Sequence, residues 1–402
     1  MFLAAILAVS AGTADPVDPS TMKGKIMCGY QGWFRTPDDG AGQGWTHYGM
    51  KGKFEPGYSA VEAWPDLSEF DADEKYETPF RHADGSTAYV FSSVNPKTVM
   101  RHFKWMEDYG IDGVYLQRFV GVTKNPKGRA ALQTVMANVR AGAEKHNRTW
   151  AMMYDLSGAN ETDLMTTVVD DWKRLCSEDG IRKDRMYLHH NGKPVVAVWG
   201  MGFTGGRKYT LAQCLELINF LKADGNAVMV GVPTYWREMK ADCLPDPLML
   251  EVAKAADIVS PWAVGRFGDL KGVSNYVQNV AAKDLAWCRE NGRDFLPVVF
   301  PGFSWYNLQK GRDKEAKFNQ IPRLKGRFLA EQLRLHITGG AQMVYVAMFD
   351  EIDEGTAIFK CTNNPPVGES LFLDMDGVDS DLYLRLVGRA TAWLKKKVDG
   401  EK

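Results

Sequence analysis

Eight short apolar segments, each followed by a stretch with helical periodicity, constrain the fold of this 402-residue chain more than any other sequence feature. They are rich in Val, Ile, Met and aromatic residues with little polar alternation, which is typical of strands covered on both faces of a parallel sheet. The segments span residues 26–30, 113–116, 150–154, 195–199, 227–232, 257–260, 296–300 and 344–349. This alternation predicts an α/β fold, a single (β/α)8 TIM barrel over residues 23–398, with its active site where the strands end.

A doubly wound open sheet is the main alternative, because it also alternates strands with helices. No G-x-G-x-x-G pattern follows the first predicted strand, as a dinucleotide-binding fold of that kind requires. The glycines at 202, 205 and 206 follow a strand but lack the Lys-Ser/Thr of a phosphate-binding loop. The barrel is therefore the favoured interpretation.

A long segment with little helical periodicity, residues 35–95, follows the first predicted strand and is dense in Gly, Asp, Pro and aromatic residues. Structureless loops of this length are uncommon in compact domains and are usually functional. Because the segment leaves the C-terminal end of a barrel strand, we expect this loop insertion to cover the barrel mouth and to form one wall of a cleft. The alternative is a surface excursion that packs only on itself.

The last predicted strand ends in four acids within five residues, Asp350, Glu351, Asp353 and Glu354. Burial and mutual repulsion raise carboxylate pKa values, so such a cluster offers no structural advantage. It is expected where the carboxylates perform acid–base chemistry or bind a cation. We predict that Glu351 and Glu354 form a catalytic pair. A solvated acidic loop and a divalent-metal site are the alternatives, although no metal or cofactor motif is complete elsewhere in the sequence.

Aromatic, amide and charged residues follow several of the other predicted strands. Aromatic rings present flat apolar faces beside polar edges, a combination suited to stacking on sugars. If these residues converge at the barrel mouth, they would form a carbohydrate-binding groove for a poly- or oligosaccharide. The expected substrate-binding residues are Trp33, Gln117, Arg118, Asp155, Trp199, Tyr235, Trp236, Trp262, Trp305 and Asp353.

Two segments resemble glycoside hydrolase family 99. The segment Glu351-Ile352-Asp353-Glu354-Gly355-Thr356 is similar to the Glu-Trp-His-Glu-Gly-Thr of that family's active site. The related family 71 has the same carboxylate-x-x-Glu spacing. Residues 187–196, which include Asn191-Gly192-Lys193-Pro194-Val195-Val196, are similar to the lead into the fourth barrel strand of these enzymes. Ile352 and Asp353 depart from the family pattern, which indicates a divergent member.

The resemblance implies a retaining glycosidase that cleaves α-mannoside-like linkages through a 1,2-anhydro sugar, without a cofactor. In that scheme Glu354 is the general acid/base, and Glu351 is the base that deprotonates the sugar's 2-hydroxyl. Asp353 replaces the family's His and has two candidate roles, tuning Glu354 or contacting substrate. The alternatives are an inverting α-glucan hydrolase of family 71 type and a catalytically inactive carbohydrate-binding barrel.

Residues 1–22 are interpreted as a secretory signal followed by a linker, because the apolar run of residues 1–11 ends in small residues. That run lacks a basic n-region, and at about ten residues it is shorter than the roughly 20 that a membrane span requires. The protein is therefore predicted to be exported, to the periplasm or beyond. With 49 Lys and Arg against 50 Asp and Glu, the charge balance gives no basic excess for nucleic acid or an anionic membrane.

Overall fold

The structure of the protein is a computed structural model that describes residues 15–400. The apolar part of the predicted signal, residues 1–11, lies outside the described residues. Eight parallel strands form the central sheet. They are β1 (Ile26–Tyr30), β2 (Gly113–Phe119), β3 (Thr149–Asp155), β4 (Lys193–Trp199), β5 (Ala227–Val232), β6 (Ile258–Pro261), β7 (in two pieces, Asp294–Phe295 and Val298–Val299) and β8 (Val344–Val346).

The sheet closes on itself through β7, whose two pieces pair with different neighbours. Phe295 in the first piece lies opposite Val259 of β6, and Val299 in the second lies opposite Val346 of β8. Pro297 separates the pieces, because a residue without an N–H cannot donate to the ladder. β1 in turn pairs with both β8 and β2, so each strand has a neighbour on each side. The predicted (β/α)8 barrel is confirmed.

Helices surround the strands and cover their outer faces. Two of them begin with the same Asn-Pro sequence, at Asn95-Pro96 and Asn125-Pro126, where the Asn side chain accepts the first free backbone N–H groups and Pro occupies the first turn. Among residues 15–400, no helix is both long and apolar enough to cross a bilayer. The helices of six or more residues are Pro96–Tyr109, Pro126–Lys145, Val169–Ser177, Leu211–Ala223, Leu248–Ala255, Leu270–Tyr276, Ala282–Glu290, Tyr306–Gly311, Arg327–Thr338 and Leu382–Gly400.

Three strand predictions differ from the structure by several residues, and one of them, expected over 113–116, continues to Phe119. The seventh strand was expected over 296–300 but lies on either side of Pro297, for the reason given above. The last was expected over 344–349 but ends at Val346. Beyond that point the chain turns back on itself, and the amide of Ile358 donates to the carbonyl of Met348 over 3.0 Å. An apolar run cannot reveal this change, because its residues are buried both in the strand and in the turn.

The long insertion expected after β1 is present, and it contains regular structure that the sequence did not indicate. It contains an antiparallel hairpin, Tyr76–Arg81 and Thr87–Val90. The rings of Phe54, Trp64 and Phe80 pack together. The ring centroid of Phe80 lies 4.7 Å from that of Phe54 and 5.2 Å from that of Trp64. Isolated bridges from Ala63 to Leu373 and from Pro65 to Cys361 join it to the segment after β8. The insertion therefore has its own aromatic core and is anchored beside the barrel mouth.

Gly388 is where the C-terminal helix Leu382–Gly400 meets the helix Pro96–Tyr109. A methyl group there would lie 1.5 Å from the carbonyl oxygen of Tyr109. We expect Gly388→Ala to lower the free energy of unfolding by about 2 kcal/mol, because helix separation outweighs the better helix propensity of Ala. Gly400→Ala on the same helix meets no atom within 4 Å and is the matched control. Chemical denaturation of both variants checks this, and equal stabilities would contradict the packing described.

Candidate active site

The turn after β8 is held to the end of β1 by Asp350. Its buried carboxylate accepts the backbone N–H groups of Gln31 (2.7 Å) and Gly32 (2.9 Å). Burial raises the pKa of Asp350 to about 7, and the two backbone donors counteract that rise. Asp350 therefore has a structural position, joining the ends of two strands that are neighbours in the barrel.

Glu351, like Asp350, accepts hydrogen bonds at both carboxylate oxygens, but from side chains. Gln31 donates from its side-chain amide to Oε1 and Thr356 donates from its hydroxyl to Oε2, each over 2.6 Å. Burial raises the pKa of Glu351, as does repulsion from Glu354, whereas the two donors lower it. Glu351 is held in one orientation at the base of the cavity described below.

Glu354 lines the same cavity but receives no hydrogen bond on its carboxylate from any of residues 15–400. Its backbone carbonyl is the bonded group, accepting the amide of Ser304 over 3.0 Å. Burial raises the pKa of Glu354 to about 7, repulsion from Asp353 adds to the rise, and Arg312 opposes it. A carboxyl group of this kind retains its proton close to neutral pH, as general acid catalysis requires.

Asp353 connects the acidic turn to the insertion. Its Oδ2 lies 3.0 Å from Nδ1 of His47, and the imidazole of His47 stacks on Trp33 with ring centroids 3.7 Å apart and planes 6° apart. Asp353 lines a separate, smaller cavity rather than the one that holds both glutamates. Its contact with His47 holds the insertion against the acidic turn.

A cavity of about 450 Å³ opens at the C-terminal ends of the strands, within the usual range for small-molecule sites of about 300–1,000 Å³. Most of the predicted site residues line it. These are Trp33, Gln117, Asp155, Trp199, Trp262, Trp305, Glu351 and Glu354, together with Gln31, Phe119, Met153, Ser157, Val264, Gly265, Arg266, Phe303, Gln320, Tyr345 and Met348.

Four residues predicted to bind substrate lie outside this cavity: Asp353, described above, and Arg118, Tyr235 and Trp236. Arg118 is buried against Asp171, with 2.5 Å between Nε and Oδ2, because side chains alternate along a strand and its neighbour Gln117 faces inward. Trp236 is fully buried and packs on Trp287, with centroids 4.7 Å apart. Tyr235 lies beside Lys240 instead. Gln117 and Arg118 were predicted to face the mouth together, although adjacent residues of a strand point to opposite sides of the sheet.

Three residues that matter to the acidic turn were not predicted. His47 binds Asp353, and Thr356 binds Glu351. Thr356 belongs to the family-like Glu-Gly-Thr segment, so the sequence did contain a signal for it. Glu62 of the insertion is buried and accepts the hydroxyl of Ser304 over 2.5 Å. Burial raises the pKa of Glu62 to about 7. No local pattern marks Glu62, since its partner lies 242 positions away in the chain.

The acidic residues do not form a metal centre. Within the described range 15–400, no three His, Cys, Asp or Glu side chains lie close enough together to hold an ion. The reason is visible at the acidic turn, where Asp350 faces the end of β1, Asp353 faces His47, and only Glu351 and Glu354 face the larger cavity.

Replacing Glu354 should make the protein more stable at alkaline pH. A folded-state pKa of about 7, above the ordinary value of 4.5, means that the folded state binds this proton more tightly. The resulting stability is present below the ordinary pKa and is lost as pH rises through about 7. The melting temperature of Glu354→Gln should therefore equal that of the wild type near pH 5 and exceed it at pH 8. Exposed Glu369→Gln is the control, and a variant that is equal or less stable at pH 8 would contradict this.

No known protein-family profile and no curated protein matches the sequence. Among solved structures, the GH99 endo-alpha-mannosidase from Bacteroides thetaiotaomicron in complex with bis-tris-propane aligns with a TM-score of 0.68 at 13% identity. A second structure of that enzyme aligns with a TM-score of 0.67, also at 13% identity. Each alignment covers 94% of this chain and 100% of the other. The chain therefore has the barrel fold of a family 99 glycoside hydrolase over nearly its whole length.

Proposed function

We propose that this chain is a glycoside hydrolase that cleaves α-mannoside-like linkages in a poly- or oligosaccharide, with Glu351 and Glu354 as its catalytic residues. One observation carries the proposal. Both carboxyl groups line one open cavity at the barrel mouth, yet their surroundings differ, because Glu351 accepts two hydrogen bonds and Glu354 accepts none from residues 15–400. Glycoside cleavage requires such a division between a proton donor and an ionised partner.

The hydrogen bonds assign the single proton of the pair. Donors at both oxygens stabilise the ionised form of a carboxyl group, so the negative charge is assigned to Glu351. Because two neighbouring carboxylates disfavour a second negative charge, the proton is then assigned to Glu354, whose carboxyl group has no such donors among residues 15–400. Glu354 is accordingly the general acid, and Glu351 is the base.

In the proposed reaction, Glu354 protonates the glycosidic oxygen while Glu351 takes the proton of the sugar's 2-hydroxyl. The freed oxygen attacks the anomeric carbon, the bond to the leaving group breaks, and a 1,2-anhydro sugar forms. Water deprotonated by Glu354 then opens that ring, and Glu351 returns its proton to the sugar's 2-oxygen. Two inversions give net retention. The route needs a 2-hydroxyl trans to the leaving group, as in α-mannosides, and gains from an already positioned nucleophile.

The walls of the cavity support a carbohydrate ligand. The amide side chains of Gln31 and Gln117 and the indole rings of Trp33 and Trp199 lie on these walls. Amides can donate to and accept from sugar hydroxyl groups, and aromatic faces can stack on sugar rings. Trp262 and Trp305 add ring surface to the same walls. We assign residues 23–398 to one catalytic domain and propose export, on the strength of the apolar N-terminal run.

Glu351→Gln and Glu354→Gln should each lower kcat by about a thousandfold or more, since each removes a proton-transferring group. Each variant should remain folded at pH 5, because neither changes side-chain size. The measurement is release of reducing ends from α-mannan and α-glucan by the purified protein, with exposed Glu369→Gln as the control. Wild-type turnover by either variant would refute the assignment.

Product stereochemistry followed by proton NMR distinguishes the proposed route from its alternatives. Retention on an α-mannoside supports the anhydro-sugar route, and inversion on an α-glucan supports the family 71 type of reaction. Binding of these polysaccharides without any cleavage would identify an inactive carbohydrate-binding barrel.

The activity should fall as pH rises through about 7. Glu354 must carry its proton to act as the acid, and burial places its pKa near that value. The measurement is the pH profile of kcat/KM between pH 4 and 9. An activity that keeps rising above pH 8 would contradict the role of Glu354 as the proton donor.

A further inference from the structure

A second cavity of about 290 Å³ adjoins the catalytic one and has a different chemical character. Trp33, Phe119 and Glu354 line both cavities, so Glu354 lies on the boundary between them. The remaining walls of the smaller cavity combine apolar side chains with polar and basic ones. They are formed by Arg35, Gln43, Thr46, His47, Val122, Gly128, Leu132, Leu308, Arg312 and Asp353.

Arg35 is the unusual member of this set, because its side chain is buried without an acid in contact. It is 3% exposed, and Nη1 donates to the backbone carbonyl of Phe34 over 3.0 Å. Nε has no hydrogen-bond partner, and no Asp or Glu oxygen from residues 15–400 lies within 4.0 Å of the guanidinium. Asp39 and Asp350 act on it only at longer range. A buried cation without a contacting anion is costly to the fold.

Arg312 places a second guanidinium on the same cavity. Its side chain is exposed and forms no ion pair with the part of the chain that the structure describes. Of the two acids on these walls, Asp353 is paired with His47, and Glu354 is neutral in the state that acts as an acid. The walls therefore hold two guanidinium groups, neither in contact with an acid of residues 15–400, against the one carboxylate of Asp353.

We propose that the smaller cavity binds an anionic substituent, a carboxylate, phosphate or sulfate, on a sugar unit adjacent to the one whose linkage is cleaved. This rests on the proposed function, which places the reacting bond at Glu354. Guanidinium groups match the planar oxygen pairs of such anions. The apolar side chains of Phe119, Leu132 and Leu308 would pack against the ring that carries the charge. The enzyme would then prefer acidic over neutral mannoside-like substrates.

Calorimetric titration with mannose 6-phosphate, mannose 6-sulfate, mannuronic acid and methyl α-mannoside tests this directly. At low salt, at least one anionic probe should bind about tenfold more tightly than the neutral one. This preference should weaken at about 1 M NaCl, where charges are screened beyond about 3 Å. Comparing the three anions identifies the group that is recognised. Equal affinity for all four probes would overturn the proposal.

Arg312→Gln is the decisive variant, because an exposed position tolerates the change without affecting the fold. It should reduce the anionic-to-neutral affinity ratio about tenfold. Lys314→Gln on the same segment removes an exposed charge that lines neither cavity and is the matched control. If Lys314→Gln lowered the affinity ratio equally, the preference for anions would come from surface charge in general, and the proposed site would be refuted.

The two proposals fail separately. If the protein bound anionic probes in preference to neutral ones through Arg312 but cleaved no glycoside, the proposed function would be refuted and the anion site supported. If the protein cleaved neutral α-mannosides but showed no preference for anionic probes, only the anion site would be refuted.

Discussion

The hydrogen bonds from the end of β1 to the carboxylate of Asp350 are the interaction on which the site depends. Barrel closure brings β8 beside β1, and Asp350 then binds the amides of Gln31 and Gly32 across that junction. The same contact brings the side chain of Gln31 to Glu351. One buried acid thus fixes the position of its neighbour. This is why four acids within five residues are tolerated, since each has a different partner or faces a cavity.

The insertion after β1 completes the site from the opposite side. His47 binds Asp353, and Glu62 binds Ser304, whose own amide donates to the carbonyl of Glu354. The insertion has its own aromatic core, in which the rings of Phe54 and Trp64 pack on Phe80. The insertion was expected to form one wall of the cleft, but it lines only the smaller cavity, through Arg35, Gln43, Thr46 and His47, and none of its residues lines the larger one. The hairpin within this long insertion was not predicted, because its pairing is not visible in an irregular composition.

Much of the acidic turn could be predicted because its information is local. The acidic cluster, its place at the end of an apolar strand and its Glu-Gly-Thr ending are all contained in residues 344–356. Residues that depend on facing direction were predicted less well. Gln117 and Arg118 are adjacent in sequence, yet one lines the cavity and the other binds Asp171 behind the sheet. A strand covered on both faces has no polar alternation to reveal which of its residues point inward.

The amino-acid sequence alone determined the fold class, the order of the strands and the segment that carries the paired glutamates, because strand propensity, helical periodicity and local spacing act over a few residues. Only the tertiary structure decided which acids share a cavity, which one receives hydrogen bonds, and which arginine is left without an acid. These properties depend on contacts between segments far apart in the chain, such as Gln31 with Glu351 and His47 with Asp353. Burial and pairing of charges are set by such contacts, since desolvation and Coulomb energies depend on distances that exist only once the barrel has closed.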